Sequence, residues 1–234
     1  MQAPKRRETK PSGPRGLPRW VIPVGAAVLA VAVVGVVFAM SGGDDNGDGS
    51  NGTNAEVKAA LTAAGCTLRD VKPRPPAAGV GGGGYHADSP TLTSKVKWST
   101  FPPSAGGHYP QWVPWGFYRT PQNPRMAVHN LEHGGVVIWW GPKVPSSTVD
   151  DIERFYRESE DGMLGTPIAG FDSKIALAAW TIDDSANYYR EGNYGVGHLA
   201  VCTKFDEAAF KTFRDAYRGE GPEGIPTSRN KPGT

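Results

Sequence analysis

From Trp20 to Met40 the chain runs for 21 residues without a charged side chain. At ~1.5 Å of rise per residue, one helix of this length crosses the ~30 Å hydrocarbon core of a bilayer. Lys5, Arg6, Arg7, Lys10, Arg15 and Arg19 precede the run. By the positive-inside rule they hold the N-terminus in the cytoplasm and place everything after Met40 outside it. The competing reading is a cleaved signal peptide ending near Val37-Phe38-Ala39. The run is longer than a usual signal core and lacks a clean Ala-x-Ala site. With no cysteine near its end, a lipoprotein anchor is disfavoured. The expected protein is a single-pass plasma-membrane protein: a basic cytoplasmic tail (1–19), a transmembrane helix (20–40), a flexible linker (41–54), an extracytoplasmic domain (55–224) and a disordered tail (225–234).

Charge supports this division and excludes one class of partner. The net charge of +2 hides a basic N-terminal tail, and residues 55–234 carry 19 basic and 19 acidic side chains. A neutral domain has no excess charge with which to neutralise phosphates, so nucleic acid is not an expected partner. The basic tail sets topology and lies against anionic lipid. Residues 41–54 contain only small and polar residues, which cannot pack and suit a tether. Their Asn51-Gly52-Thr53 is a glycosylation acceptor only where the host glycosylates. Cys66 and Cys202, the two cysteines, both lie beyond the apolar run, and an oxidising compartment favours a disulfide between them.

Periodicity in the domain predicts an α+β fold. Asn54 is expected to cap a short helix through Leu61, stopped by Gly65, with a strand at 67–71. The Pro- and Gly-rich residues 73–84 form no regular element, and their glycines lack the Lys-Ser/Thr ending of a phosphate loop. Between residues 85 and 125 aromatics alternate with prolines and glycines, and no helical or strand period survives. So long a loop is either functional or a structured cover over the core. Val136–Trp140 predicts a strand, and Ser147–Ser159 a helix with a Ser-x-x-Asp capping box and Val149, Ile152, Phe155 and Tyr156 on one face. Further strands are expected at 175–182 and 198–203. Asp206 caps a last helix that buries Phe210, Phe213 and Tyr217. The order predicts a small, mainly antiparallel sheet with helices on one face, in a ferredoxin-like arrangement.

The chemistry concentrates in four of the five histidines, which lie between His86 and His133. His129 and His133 are four apart, so their side chains share a face in a helix or a strand. Joined by His108, and by His86 as a less certain fourth, they offer neutral imidazoles suited to zinc or copper. Glu132 is expected to orient one of the imidazoles from behind. Met126 is a soft donor that would favour copper, although a core position explains it as well. On a helix, His129-x-x-Glu132-His133 is also the pattern of the inverted zinc peptidases. Gly134-Gly135 and the strand-prone Val-Val-Ile-Trp-Trp that follows argue against that helix. His198 stands apart as a structural residue, and no Gly-x-Ser-x-Gly nucleophile motif is present. Trp112, Trp115 and Tyr118 offer a stacking surface for an envelope protein or a glycan, against plain packing as the alternative.

Phe101-Pro-Pro-Ser-Ala-Gly-Gly-His-Tyr109, Pro114-Trp-Gly-Phe-Tyr118 and Val128-His-Asn-Leu-Glu-His-Gly-Gly-Val-Val137 together resemble domain-of-unknown-function family 3105 (DUF3105), a family of membrane-anchored bacterial proteins. The stretch from Phe205 to Glu223 resembles the C-terminal helix and tail of that family. The resemblance covers about residues 66–223 and implies one extracytoplasmic domain behind an anchor, with the family's histidine motifs at His108, His129 and His133. It implies no activity. The resulting expectation is a membrane-anchored domain that binds copper or zinc through its histidine cluster, a binding module rather than an enzyme. A non-catalytic envelope interaction domain and a His-x-x-Glu-His metallohydrolase are the alternatives.

Overall fold

Strands that are apolar on both faces must be covered on both faces, and two strands among the described residues are of this kind. All five residues of Val136–Trp140 are buried, as are Ile175 to Trp180. The computed structural model describes residues 49–73, 96–183, 185, 188 and 193–234. The basic tail, the expected transmembrane span, most of the linker and His86 lie outside the described residues. No helix among the described residues is long and apolar enough to cross a membrane.

The described elements are α1 (Gly49–Ala63), β1 (Thr67–Val71), β2 (Gly116–Phe117), α2 (Pro124–Glu132), β3 (Val136–Trp140), α3 (Ser146–Arg157), β4 (Met163–Pro167), β5 (Ile175–Thr181), β6 (Val196–Cys202) and α4 (Glu207–Tyr217). The six strands form one mixed sheet in the order β1-β6-β5-β3-β4-β2. The pairs β1–β6, β6–β5 and β5–β3 are antiparallel, whereas β3–β4 and β4–β2 are parallel. The fold is α+β as expected, but it is not ferredoxin-like. β3 and β4, joined through α3, are direct parallel neighbours with no strand between them.

The helices do not all lie on one face. Val136, Ile138, Trp140, Leu177 and Ala200 point into a core that contains Val57 and Leu61 of α1, Ile152 and Phe155 of α3, and Phe210 and Phe213 of α4. Their sheet neighbours Val137, Trp139, Ala178, Trp180 and Leu199 point the other way, against Val128 and Leu131 of α2 and Val113 and Trp115 of the proline-rich loop. That loop is therefore a structured cover on the second face. It is tied down by Asn130, whose buried amide accepts from Val113 N at 2.9 Å and donates to Val113 O at 2.8 Å.

Three local expectations need correction. α1 begins at Gly49, so Asn54 lies inside the helix and accepts a bond from Tyr217 Oη at 2.9 Å instead of capping. α3 starts after Pro145 with no side-chain cap, and Asp150 pairs with Arg119. The C-terminal residues 225–234, expected to be disordered, are fixed by backbone bonds: Trp115 N donates to Thr234 O, Gly233 N to Trp115 O, and Gly162 N to Asn230 O. The α4 cap stands, with Asp206 accepting from Ala209 N at 3.1 Å. Cys66 and Cys202 form a disulfide between the start of β1 and the end of β6.

Candidate metal centre

α2 forms because Asn123 and Pro124 start it and Gly134 stops it. The Asn123 side chain accepts from Arg125 N, and Pro124 occupies the first turn, where a missing N–H costs nothing. At the other end Gly134 takes φ +82°, Gly134 N donates to Leu131 O and Gly135 N to Asn130 O. This is a Schellman-type stop, so the glycine pair that argues against a helix in the sequence is the device that ends one. Ala127, Val128 and Leu131 face the core. His129, Glu132 and His133 share another side of the last turn.

The imidazoles are oriented by backbone carbonyls. His129 Nδ1 lies 2.8 Å from Tyr109 O, and His108 Nδ1 2.7 Å from Gly106 O. A carbonyl only accepts, so both Nδ1 atoms carry the proton. The Nε2 of His129 therefore presents a lone pair, 2.9 Å from His133 Nε2. That second nitrogen also lies 3.1 Å from Glu223 Oε2. His129, His133 and Glu223 place their donor atoms within 4.8 Å of one another. Tetrahedral bonds of ~2.0–2.1 Å space neighbouring donors about 3.3 Å apart, so a zinc-sized ion enters with little movement. The side chains of His133 and Glu223 are 13% and 31% exposed, which leaves an entry path. Trp112, 42% exposed, lies with its ring centroid 5.5 Å from that of His129 and 5.1 Å from that of His133.

Behind these donors lies a second group. His108 and Glu132 are fully buried, with Nε2 and Oε2 2.8 Å apart and a proton between them. Tyr188 Oη donates to the other carboxylate oxygen at 2.6 Å. The ring of His108 is 5.1 Å from that of His129, and His108, His129 and Glu132 also place donor atoms within 4.8 Å of one another. Glu132 thus contacts His108 rather than His129 or His133.

Burial, and then the neighbouring His108, push the His129 imidazole down from 6.5 to about 4. It is neutral at physiological pH, as a metal ligand must be. The sign for stability follows directly. Between about 4 and 6.5 the unfolded chain binds this proton and the folded one does not. Stability of the metal-free protein is therefore fully present above 6.5 and falls as pH drops toward 4, by on the order of 3 kcal/mol. Urea unfolding between pH 4 and 7.5 checks this, with His129→Asn expected to show a shallower slope than the wild type.

Glu223 is the residue that the sequence reading missed. It reaches His133 because two glycine segments cross with almost no separation: Gly219 N donates to Gly134 O at 2.8 Å, and Glu223 N to Glu132 O at 3.3 Å. A Cβ added at Gly221 would lie 2.1 Å from Gly134 N. Gly221→Ala is expected to force the crossing apart, destabilise the domain by about 3 kcal/mol, and lower zinc affinity, measured by chemical unfolding and by competition with a chromogenic chelator.

The remaining candidates are placed as follows. Trp115 is buried at 2% and is core, so it offers no surface. Tyr118 is partly buried and bonds Pro114 O. Met126 packs against the second core. His198 is satisfied by Asp70 and Thr181 and stacks on Tyr217, a structural arrangement.

Neither a curated protein nor a solved structure matches the chain. A family described as protein of unknown function does match, over residues 90–229, which includes His108, His129, Glu132, His133 and Glu223 but neither His86 nor Cys66. That match covers more than half of the sequence, and the chain belongs to the DUF3105 family.

Proposed function

We propose that this protein binds one transition-metal ion, zinc or copper, through His129 Nε2, His133 Nε2 and the Glu223 carboxylate. The observation that carries the reading is the convergence of these donors at 2.9 and 3.1 Å at a partly open surface, with the His129 tautomer fixed by Tyr109 O. Two neutral imidazoles and one carboxylate contain no soft sulfur donor, which suits Zn²⁺ or Cu²⁺ better than Cu⁺. Three protein ligands leave one position for water or another ligand. His108 and Glu132 lie behind this set. X-ray absorption on the zinc-loaded protein is expected to show nitrogen and oxygen donors with imidazole scattering from two histidines. A sulfur shell, or no imidazole scattering, would contradict the assignment.

The same proposal places the domain outside the cytoplasm, tethered by the apolar span at 20–40. The disulfide and the cationic residues before the span support this. A phosphatase reporter that requires export, fused after Thr234, is expected to be active, and an inactive fusion at normal expression would count against the topology. An envelope protein or glycan could still meet the exposed ring of Trp112, beside the metal position.

A further inference from the structure

Two groups of convergent donors meet at His129: His129, His133 and Glu223 at the surface, and His108, His129 and Glu132 behind them. We propose that the inner group is a second, closed position for the same ion, so that zinc enters at the outer donors and is retained by His108 Nε2, His129 Nε2 and the Glu132 carboxylate. The inference rests on the metal reading above and adds where the ion comes to rest.

His108 is prepared for a metal in the same way as His129. Its Nδ1 donates to Gly106 O at 2.7 Å, as that of His129 donates to Tyr109 O at 2.8 Å, and this backbone tie fixes Nε2 of each ring as the donor atom. His108 Nε2 and Glu132 Oε2 face each other at 2.8 Å across one proton. Zinc in the place of that proton needs its donors about 3.3 Å apart, so the pair has to open by roughly half an ångström. Tyr188 Oη holds the other Glu132 oxygen at 2.6 Å and orients the carboxylate from behind, the kind of support that ligating carboxylates receive. The rings of His108 and His129 are 5.1 Å apart, and the donor atoms of all three residues lie within 4.8 Å of one another. A small closure brings them onto one ion.

Burial sets the two positions apart. Side-chain exposure falls from 31% at Glu223 and 13% at His133 to 0% at His108 and Glu132, and the fully buried Trp180 sets its ring 5.9 Å from that of His108. A buried His–Glu pair adds little net stability compared with apolar side chains, so packing alone does not account for this one in an otherwise apolar core. A closed set of donors suits retention of an ion, and the outer set, with its open position, suits entry. The single Nε2 lone pair of His129 serves one position at a time, so the chain holds one ion and not two.

The test uses the full-length chain in mild detergent, loaded with zinc alone, with zinc per chain measured by elemental mass spectrometry and release measured by transfer to an excess of a chromogenic chelator. The wild type is expected to hold about one zinc per chain. Losing even a group that supports a ligand weakens a metal site about 10–100-fold, so His108→Leu and Glu132→Gln, confined to the outer donors, should still take up zinc but release it at least roughly tenfold faster than the wild type. His133→Ala should load more slowly and, once loaded, release its zinc at the wild-type rate. Wild-type release from either inner variant, or a folded His133→Ala that takes up no zinc, overturns the inner position while the outer reading stands. A wild type that takes up no zinc overturns both. Should the inner variants fail to fold, ring-nitrogen NMR of the zinc-loaded wild type decides. Metal-bound shifts at His108 and His129 uphold the inner position, and such shifts at His129 and His133 alone overturn it.

Discussion

Replacing His129 with alanine is expected to reduce zinc or copper uptake from about one ion per chain to near zero, with the fold retained. His129 holds the central position in the donor set. Its Nε2 faces His133, its Nδ1 is tied to Tyr109 O, and it belongs to both groups of convergent donors. The loss should exceed that from Glu132→Gln, which alters a group in contact with His108 rather than with His129 or His133. Glu132 bonds none of the three donors, so its replacement leaves them in place, whereas removing one of three ligands leaves too few protein donors to hold the ion against water and buffer. Competition with a chelator of known affinity, alongside circular dichroism, measures both halves. Uptake by His129→Ala equal to the wild type would remove the site.

The second large effect concerns the disulfide. Cys66 and Cys202 are 136 residues apart, and closing so long a loop contributes on the order of 4 kcal/mol in the chain-entropy account. The bond lies in the core that α1, α3 and α4 cover, on the face of the sheet opposite α2 and the histidines. Cys66→Ser with Cys202→Ser should therefore lower the denaturant midpoint strongly while zinc stoichiometry at low temperature stays unchanged. If the double variant loses its metal in step with its stability, the two faces do not act independently.

Much of this architecture is legible in single segments. Alternation and β-branched content place β1, β3, β5 and β6 to within a residue or two, and Asp206 marks the start of α4. β4 escapes because Gly165 and Pro167 break its pattern. The glycine is needed there, since a Cβ would meet the Phe117 ring at 2.4 Å. β2 is two residues long and follows a proline-rich loop, so no periodicity can reveal it. α2 is misread for a different reason. Asn123-Pro124 is a helix start and Gly134-Gly135 a helix stop, but the aromatic and proline-rich surroundings hide the first, and the strand after the second invites reading the whole segment as extended. That both faces of the sheet are covered could have been inferred from β3, which has no polar residue on either side.

The site is legible only as a list of donors. His108, His129 and His133 stand out by residue type, yet nothing local states that Glu132 meets His108 or that Glu223 meets His133. Ninety positions separate His133 from Glu223, and the contact depends on Gly134 and Gly221 passing at backbone distance. The signal lay in Gly219-Glu-Gly-Pro-Glu223, where glycines punctuate a carboxylate directly after a helix. The C-terminal residues are polar and proline-rich, yet they are ordered through main-chain bonds to Trp115 and Gly162, which composition does not show.

The most direct test of the metal centre is elemental mass spectrometry on the full-length protein, purified without a histidine tag, challenged with zinc and with copper, and desalted. The account predicts about one ion per chain, retained by wild type and absent from the His129→Ala, His133→Ala double variant. A folded wild type that emerges metal-free from both challenges would contradict it, and would leave the cluster as a hydrogen-bonded turn at the end of α2.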